Sequence, residues 1–190
     1  MGQAKTLTER ELKRVLDYIA GGRHAARNRA MVMLTYCAGL RVSEVAALRY
    51  ADVVATDGSI KTEFRLTADQ TKGGYARTVF VSEKLRKELA TYVKTLKRHD
   101  RASLALFTTQ KRDSFTANTL CQHFHWLYKR AGLEGASSHS GRRTFITNLA
   151  SKGVGVRVLA ALAGHRSPST TMVYIDASDD MKRRAVELAM

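Results

Sequence analysis

The chain has 190 residues, a length that accommodates one ordinary domain and excludes two full ones. Hydrophobic residues make up 44% and charged residues 26%, which is typical of a globular protein and excludes a disordered one. The 32 lysines and arginines outnumber the 17 aspartates and glutamates, and the net charge of +15 favours a polyanionic partner, nucleic acid first and an anionic membrane surface second.

The first quarter of the chain carries three helix signals. Thr8 and Glu11 have the spacing of a capping box, and apolar residues follow at helical intervals up to a glycine pair. A second helix is predicted over 25–38, where a glycine stops it. A third is predicted from a cap at Ser43 to Leu48.

The pattern then changes to that of strands. Residues 60–66 alternate in strand fashion, 78–81 continue the pattern, and turns at 57–58 and 71–74 separate them, so we predict an antiparallel sheet of about three strands. Residues 106–107 are expected to be extended, and further helices are predicted over 82–96, 117–131, 141–151, 156–163, 169–174 and 179–190. The predicted class is mainly α with a small antiparallel β-sheet (α+β), in one domain.

Several classes of site are excluded. Cys37 and Cys121 are far apart and belong to no CxxC or Cys/His pattern, which excludes a disulfide framework and a zinc site, so no metal is expected. The N-terminus has no apolar signal region, and the longest apolar stretch, 31–40, is half a membrane span. We therefore expect a cytoplasmic protein without a membrane partner.

A phosphate-binding pattern begins at His139. Ser137 or Ser138 can cap a helix there, and His139 and Arg142 then project from one face near its N-terminus, where anions bind. Arg143 points about 100° away on helix periodicity. A solvated basic turn is the alternative interpretation of this segment alone.

Three further segments hold chemically active side chains. Gly164 can end a helix before His165, and Tyr174 follows His165 by nine residues. Taken alone, His165 also fits a histidine that caps a helix C-terminus, and Tyr174 fits a half-buried tyrosine. Arg41 lies at a helix junction with Glu44 three residues on, a spacing that also fits a surface ion pair. Lys72 lies in a glycine-rich hairpin turn, where a lysine is usually just solvated.

Together these segments resemble one family. AGLRVSEVAALR resembles the first arginine box of the phage integrase (tyrosine recombinase) family, and TKGG followed by RTV resembles its β-hairpin lysine. HSGRRTF resembles its His-x-x-Arg box, and LAGH with TTMVYID resembles the second histidine and the nucleophilic tyrosine. The resemblance covers roughly Thr6–Asp180, in the family's order. Gly141 departs from it, since many members carry leucine there.

The resemblance implies a tyrosine recombinase catalytic-domain-like fold over 1–190, with a core at about 6–180 and a C-terminal helix at about 179–190. Most members carry a separate helical DNA-binding domain ahead of the catalytic one. No such N-terminal domain is expected here, as in the short fimbrial phase-variation recombinases; a degenerate mobile-element gene is the other interpretation.

The resemblance also implies a metal-free, cofactor-free reaction. Tyr174 would attack a DNA phosphate and form a 3′-phosphotyrosyl bond, while Arg41 and Arg142 stabilise the phosphate oxygens. Lys72 would protonate the leaving 5′-oxygen. His139 would assist proton transfer at the tyrosine, and His165 would hydrogen-bond the phosphate. Glu44 would support Arg41.

The resemblance implies site-specific recombination (integration, excision or inversion) by a homotetramer on two double-stranded DNA sites, with a possible accessory DNA-bending protein. A catalytically silent DNA-binding protein is one alternative, although binding alone needs no such tyrosine. A type IB topoisomerase-like relaxing enzyme is another, and relaxation versus exchange on supercoiled DNA would distinguish it. The expected DNA-backbone contacts are Lys61, Arg65, Arg77, Lys111, Arg112 and Arg143.

Overall fold

A computed structural model describes residues 4–96, 104–109, 112–175, 182–183 and 186–187. The named elements of these ranges are α1 (Glu9–Ala20), α2 (Ala25–Ala38), α3 (Val42–Ala47), α4 (Tyr50–Val53), β1 (Glu63–Leu66), a 3₁₀ turn (Ala68–Gln70), β2 (Arg77–Phe80), α5 (Glu83–Val93), α6 (Ala117–Arg130), α7 (Ser140–Ser151), α8 (Val156–Ala163) and α9 (Pro168–Met172). The predicted class, mainly α with a small antiparallel sheet, is confirmed. Within the described ranges, no helix is both long and apolar enough to cross a bilayer.

Helix α2 forms the centre of the core. All residues from Ala30 to Thr35 are buried, and the helix packs against α1, α5 and α7. It ends where Gly39 adopts φ 63°, a left-handed conformation that glycine takes without steric cost. Because the next helix starts only three residues later, this turn fixes the position of Arg41 relative to the core.

The N-terminal helix forms as its capping box predicts. The Glu11 backbone N–H donates to Thr8 Oγ1 at 3.2 Å, and the Thr8 N–H donates to Glu11 Oε2 at 2.9 Å. These bonds satisfy backbone donors that have no partner inside the helix. The helix then buries Leu12, Val15 and Ile19 against the core.

The sheet has two strands in the described residues, and the prediction of about three is wrong. Glu63 pairs with Phe80 and Leu66 with Arg77 in antiparallel register. Ile60 forms only an isolated bridge with Val54, because the turn between them brings the chain back to the end of α4. The two paired strands form the base of the lysine hairpin.

Several helix boundaries also differ from the prediction. Helix α3 begins at Val42 with Arg41, rather than Ser43, in the capping position. Helix α4 is too short to carry a periodic signal, and α9 ends at Met172, ahead of Tyr174. The predicted C-terminal helix lies mostly outside the described residues, although 182–183 and 186–187 are helical.

Gly141 lies where α7 packs closely against Thr35 of α2. A Cβ atom built there would overlap Thr35 Oγ1 and approach Thr35 Cβ to 3.0 Å. Thr35 is fully buried and its hydroxyl donates to the Val32 carbonyl at 2.8 Å, so it has little room to move. The close approach of the two helices explains why the leucine of many family members would not fit.

Gly141→Ala is therefore expected to destabilise the protein, by about 1–3 kcal/mol, the usual cost of overpacking a core. The free energy of unfolding from urea titration measures the effect. Gly21→Ala is the control, because Gly21 has φ −77° at the end of α1 and the added methyl carbon would lie 3.9 Å from its nearest neighbouring atom. Equal unfolding free energies for the two variants would contradict the packing argument.

Candidate active site

The first arginine lies at the junction of α2 and α3. The Arg41 backbone N–H donates to Glu44 Oε2 at 2.8 Å, and its guanidinium donates to Glu44 Oε1 at 2.9 Å. A second guanidinium nitrogen donates to the Gly164 carbonyl at 3.3 Å. Glu44 thus fixes both the backbone and the side chain of Arg41, which is the geometry that its expected supporting role requires.

Glu44 is fully buried between two arginines. Arg77 on β2 donates to Glu44 Oε2 at 2.8 Å and to the Leu162 carbonyl at 2.9 Å. Burial raises the pKa of Glu44, but the charge of Arg77 and hydrogen bonds from Arg41 and Arg77 outweigh it, so the pKa lies below its ordinary value. The carboxylate therefore remains charged in the folded protein at neutral pH.

Arg77, for which the sequence predicts a DNA-backbone contact, is largely buried in the structure. Only 9% of its side chain is exposed, and its guanidinium joins β2 to Glu44 and to the end of α8. The side chain also passes close to Gly164, where a Cβ atom would overlap Arg77 Cδ. Arg77 is thus placed to hold the buried carboxylate, and its contact with a DNA backbone stays a prediction.

Arg142 is buried in the first turn of α7, with 4% of the residue exposed. Its Nη1 donates to the Gly39 carbonyl at 2.6 Å, and its Nη2 donates to the Ala163 carbonyl at 2.6 Å and to His165 Nε2 at 2.8 Å. A guanidinium has five N–H groups, so two remain for a bidentate contact with an anion. Burial, followed by the charge of Arg41, lowers the pKa of Arg142 to about 9, which keeps it protonated at neutral pH.

His165 links this arginine to the tyrosine. Because arginine can only donate, His165 Nε2 accepts from Arg142, and the Nδ1–H then donates to the buried Thr171 Oγ1 at 2.8 Å. Burial, followed by the charge of Arg142, lowers the pKa of His165 to about 4, so the imidazole is neutral at pH 7. Gly164, with φ 64°, ends α8 and turns the histidine toward α9.

Tyr174 follows directly on α9. Ser167 and Pro168 start this short helix, and after it ends the Tyr174 N–H donates to the Thr171 carbonyl at 2.9 Å. The phenol ring stacks on His165, with 5.8 Å between ring centroids and 18° between planes. The Arg143 guanidinium carbon lies 5.6 Å from the same centroid. The tyrosine is therefore half-buried next to two of the predicted site residues.

Lys72 is exposed at the tip of the β1–β2 hairpin and lines a cavity of about 540 Å³. The lining also includes Arg41 and His165, and Tyr75 and Arg166 form part of its wall. The hairpin thereby brings a long, cationic side chain to the pocket that holds the first arginine and the second histidine.

His139 is exposed immediately before α7 and lines a second cavity, of about 430 Å³, together with Arg143 and Tyr174. Desolvation, followed by the charges of Arg142, Lys72 and Arg41, lowers the pKa of His139 below its ordinary value. The ring stack of His165 on Tyr174 connects the residues of the two cavities.

Residues 5–181 match the model of the phage integrase family. The chain belongs to the phage integrase family. The match covers nearly all of the chain and includes the elements that carry the arginines, the histidines and the tyrosine. Family membership confirms the resemblance drawn from the four sequence segments.

Relatives in this family agree with the assignment. Tyrosine recombinase XerA of Pyrococcus furiosus is 31% identical over 188 residues, covering 97% of this chain and 62% of the relative. The catalytic domain of bacteriophage HP1 integrase has the same fold, with a TM-score of 0.68 at 22% identity, covering 97% of this chain and 95% of that one. The Tn1549 transposon integrase in complex with circular intermediate DNA has a TM-score of 0.78 at 22% identity, covering 98% and 66%. The chain thus spans less than two thirds of the length of its curated XerA relative.

The 540 Å³ cavity that Arg41 lines is called the arginine cavity below. Three other predicted DNA-backbone cations of this integrase-family chain, Lys61, Arg65 and Arg112, do not line it. Arg65 is exposed on β1, and the Lys61 ammonium donates to the Ala51 carbonyl at 2.6 Å. Arg112 lines a separate cavity of about 600 Å³ beside Arg27, and Lys111 lies outside the described residues. Their contact with DNA stays a prediction.

Sequence reasoning missed three residues that contact the site of this family member. Thr171, the hydrogen-bond partner of His165, carries no signal beyond its place three residues before the tyrosine. Tyr75 and Arg166 belong to turns that the motifs include, but their mutual contact joins positions 91 residues apart and has no local pattern.

In the part of the chain that the structure describes, no group of histidine, cysteine and acidic side chains is arranged to hold a metal ion.

Proposed function

We propose that this chain cleaves and rejoins DNA at specific sites through a 3′-phosphotyrosyl intermediate, as the catalytic part of a site-specific recombinase. The observation that carries the proposal is the connected set Arg142–His165–Tyr174, in which a buried cation contacts a neutral imidazole that stacks on the phenol. This arrangement keeps a nucleophile next to donors suited to a phosphate.

The reaction divides between attack and departure. Tyr174 Oη forms a bond to phosphorus while the bond to the 5′-oxygen breaks, and the DNA 3′-phosphate becomes attached to the tyrosine. His139 assists removal of the phenol proton, and Lys72 donates a proton to the departing 5′-oxygen. The 5′-hydroxyl of a partner strand then attacks the phosphotyrosine and regenerates the phenol, so no net bond energy is lost.

The arginines supply the electrostatic part of catalysis. Arg41 and Arg142 are oriented by Glu44 and by backbone carbonyls, so they need little reorganisation when charge develops on the phosphate oxygens. Removing one such preorganised donor typically costs about 10²–10³-fold in rate. Two guanidinium groups can therefore stabilise the phosphate enough for a weak nucleophile such as a phenol to attack it.

The partner that we propose is double-stranded DNA. The net charge of +15 supplies a strong, sequence-independent attraction to the phosphate backbone. The DNA complex of the structurally similar Tn1549 integrase supports this choice. We further propose that exchange takes place in a homotetramer on two DNA sites, assisted by an accessory DNA-bending protein where the sites need to be bent.

Mapping of covalent cleavage sites tests the function. The protein is incubated with fragments of its flanking genomic DNA in excess EDTA, adducts are trapped with SDS, and the linked ends are sequenced. We expect 3′-linked adducts at discrete sites, because guanidinium groups take the role of a metal.

A supercoiled plasmid carrying two copies of the mapped site should then give exchange products. The absence of any adduct, or strict dependence on divalent metal, would refute the proposal, and relaxation without exchange would indicate a topoisomerase.

A further inference from the structure

Tyr75 and Arg166, which both line the arginine cavity, form a cation–π contact with each other. The Arg166 guanidinium carbon lies 4.4 Å from the centroid of the Tyr75 ring. Tyr75 is three residues from Lys72 in the hairpin tip, and Arg166 directly follows His165. The pair therefore connects the turn that carries the lysine to the loop that carries the second histidine, and both residues line the same cavity as Lys72.

The hairpin tip is compact, so a contact at Tyr75 also constrains Lys72. The Tyr75 N–H donates to Thr71 Oγ1 at 3.1 Å, which closes a small loop containing Lys72 and two glycines. Gly74 has φ 69°, in the left-handed conformation that such a tight turn requires. Within this loop the lysine backbone cannot move far unless Tyr75 moves with it.

The base of the hairpin is held differently from its tip. Arg77 anchors β2 through the buried Glu44 and the Leu162 carbonyl. The tip, by contrast, is exposed from Lys72 to Ala76, and 54% of Tyr75 is accessible to solvent. The Tyr75–Arg166 contact thus connects the exposed hairpin tip to the loop that follows α8.

We propose that Tyr75 and Arg166 are positioning residues for the proton donor. Their cation–π contact holds the hairpin tip against the loop after α8, so that the Lys72 ammonium faces the departing 5′-oxygen. The inference rests on the proposed function, because it acts through Lys72. A cation–π contact at an exposed site favours the closed arrangement by about 2- to 5-fold, which sets the size of the expected effect.

The test compares two leaving groups on the mapped DNA site. One duplex carries the ordinary 5′-oxygen at the scissile phosphate, and the other carries a bridging 5′-sulfur, which leaves as a thiolate without needing a proton. The variants are Tyr75→Leu and Arg166→Ala, with Tyr75→Phe as the matched control that keeps the ring. Lys72→Ala serves as the reference for complete loss of the proton donor. Cleavage rates are measured in single turnover at saturating DNA.

We expect Tyr75→Leu and Arg166→Ala to slow cleavage of the ordinary duplex by about 2- to 5-fold. Both should cleave the sulfur duplex at the wild-type rate, as should Lys72→Ala. Tyr75→Phe should behave as wild type on both substrates. A double variant should be no slower than the slower single variant, since either change breaks the same contact.

The outcomes separate this inference from the proposed function. Equal rate losses on both substrates would mean that the Tyr75–Arg166 pair supports the fold or DNA binding. Unchanged rates on the ordinary duplex would mean that the contact is not used. Either result overturns the inference, but the proposed function stands as long as the wild-type protein cleaves DNA. Failure of sulfur to restore Lys72→Ala would remove the proton-donor role and the inference with it. Absence of cleavage by the wild-type protein, by contrast, would overturn the proposed function itself.

Discussion

Tyr174→Phe is expected to abolish the SDS-resistant DNA adduct while leaving non-covalent DNA affinity nearly unchanged. The substitution removes only the attacking oxygen, and the ring can keep its stack on His165 and its contact with Arg143. Denaturing gels measure the adduct, and filter binding measures the affinity. The expected loss of adduct is complete, because the proposed reaction makes its covalent bond through the phenol oxygen alone.

Tyr18→Phe is the matched control for this variant. Tyr18 lies on α1, is 43% exposed and takes no part in the site, so its adduct yield should equal that of the wild-type protein. Persistence of the adduct in Tyr174→Phe would show that another nucleophile attacks the phosphate.

Arg142→Ala is expected to lower the single-turnover cleavage rate at saturating DNA by about 10³-fold or more, because two preorganised donors to the phosphate are lost together. The change also leaves the Gly39 and Ala163 carbonyls without their buried donor, so circular dichroism must verify the fold. Arg142→Lys keeps the charge but cannot reproduce the fork of hydrogen bonds, and a similar loss is expected.

Arg143→Ala is the neighbouring comparison. On helix periodicity Arg143 leaves α7 about 100° away from Arg142, and its guanidinium carbon lies 5.6 Å from the centroid of the Tyr174 ring. We expect it mainly to weaken DNA binding, with a much smaller loss in cleavage rate at saturating DNA. Equal cleavage losses for Arg142→Ala and Arg143→Ala would contradict the assignment of distinct roles to the two arginines.

Local signals in the sequence predict much of the helical frame. The capping box at Thr8, the glycine that ends 25–38 and the glycine after Ala163 all act within one helical turn, and the corresponding helices form as predicted. The order of the family motifs also predicts which residues form the candidate site. Each motif lies at a helix end or in a hairpin turn that is present in the structure.

Features set by distant contacts could not be predicted in this way. Ile60 has the alternation of a strand but bridges Val54 at the end of α4, and Ser43 has the chemistry of a cap that Arg41 takes over through Glu44. Arg77 resembles any exposed strand cation in sequence, and only the partners on α3 and α8 reveal that it is buried. In each case the deciding neighbour lies on another element.

The buried Glu44 carboxylate, shared by Arg41 and Arg77, makes these three positions thermodynamically interdependent. Loss of either arginine leaves the acid under-compensated in the interior, whereas loss of the acid leaves two cations facing each other. Effects of substitutions at these sites should therefore deviate strongly from additivity, and a damaging change at one can be partly relieved by a second. Because of this epistasis, substitutions in the lysine hairpin and in the first arginine box are expected to occur together.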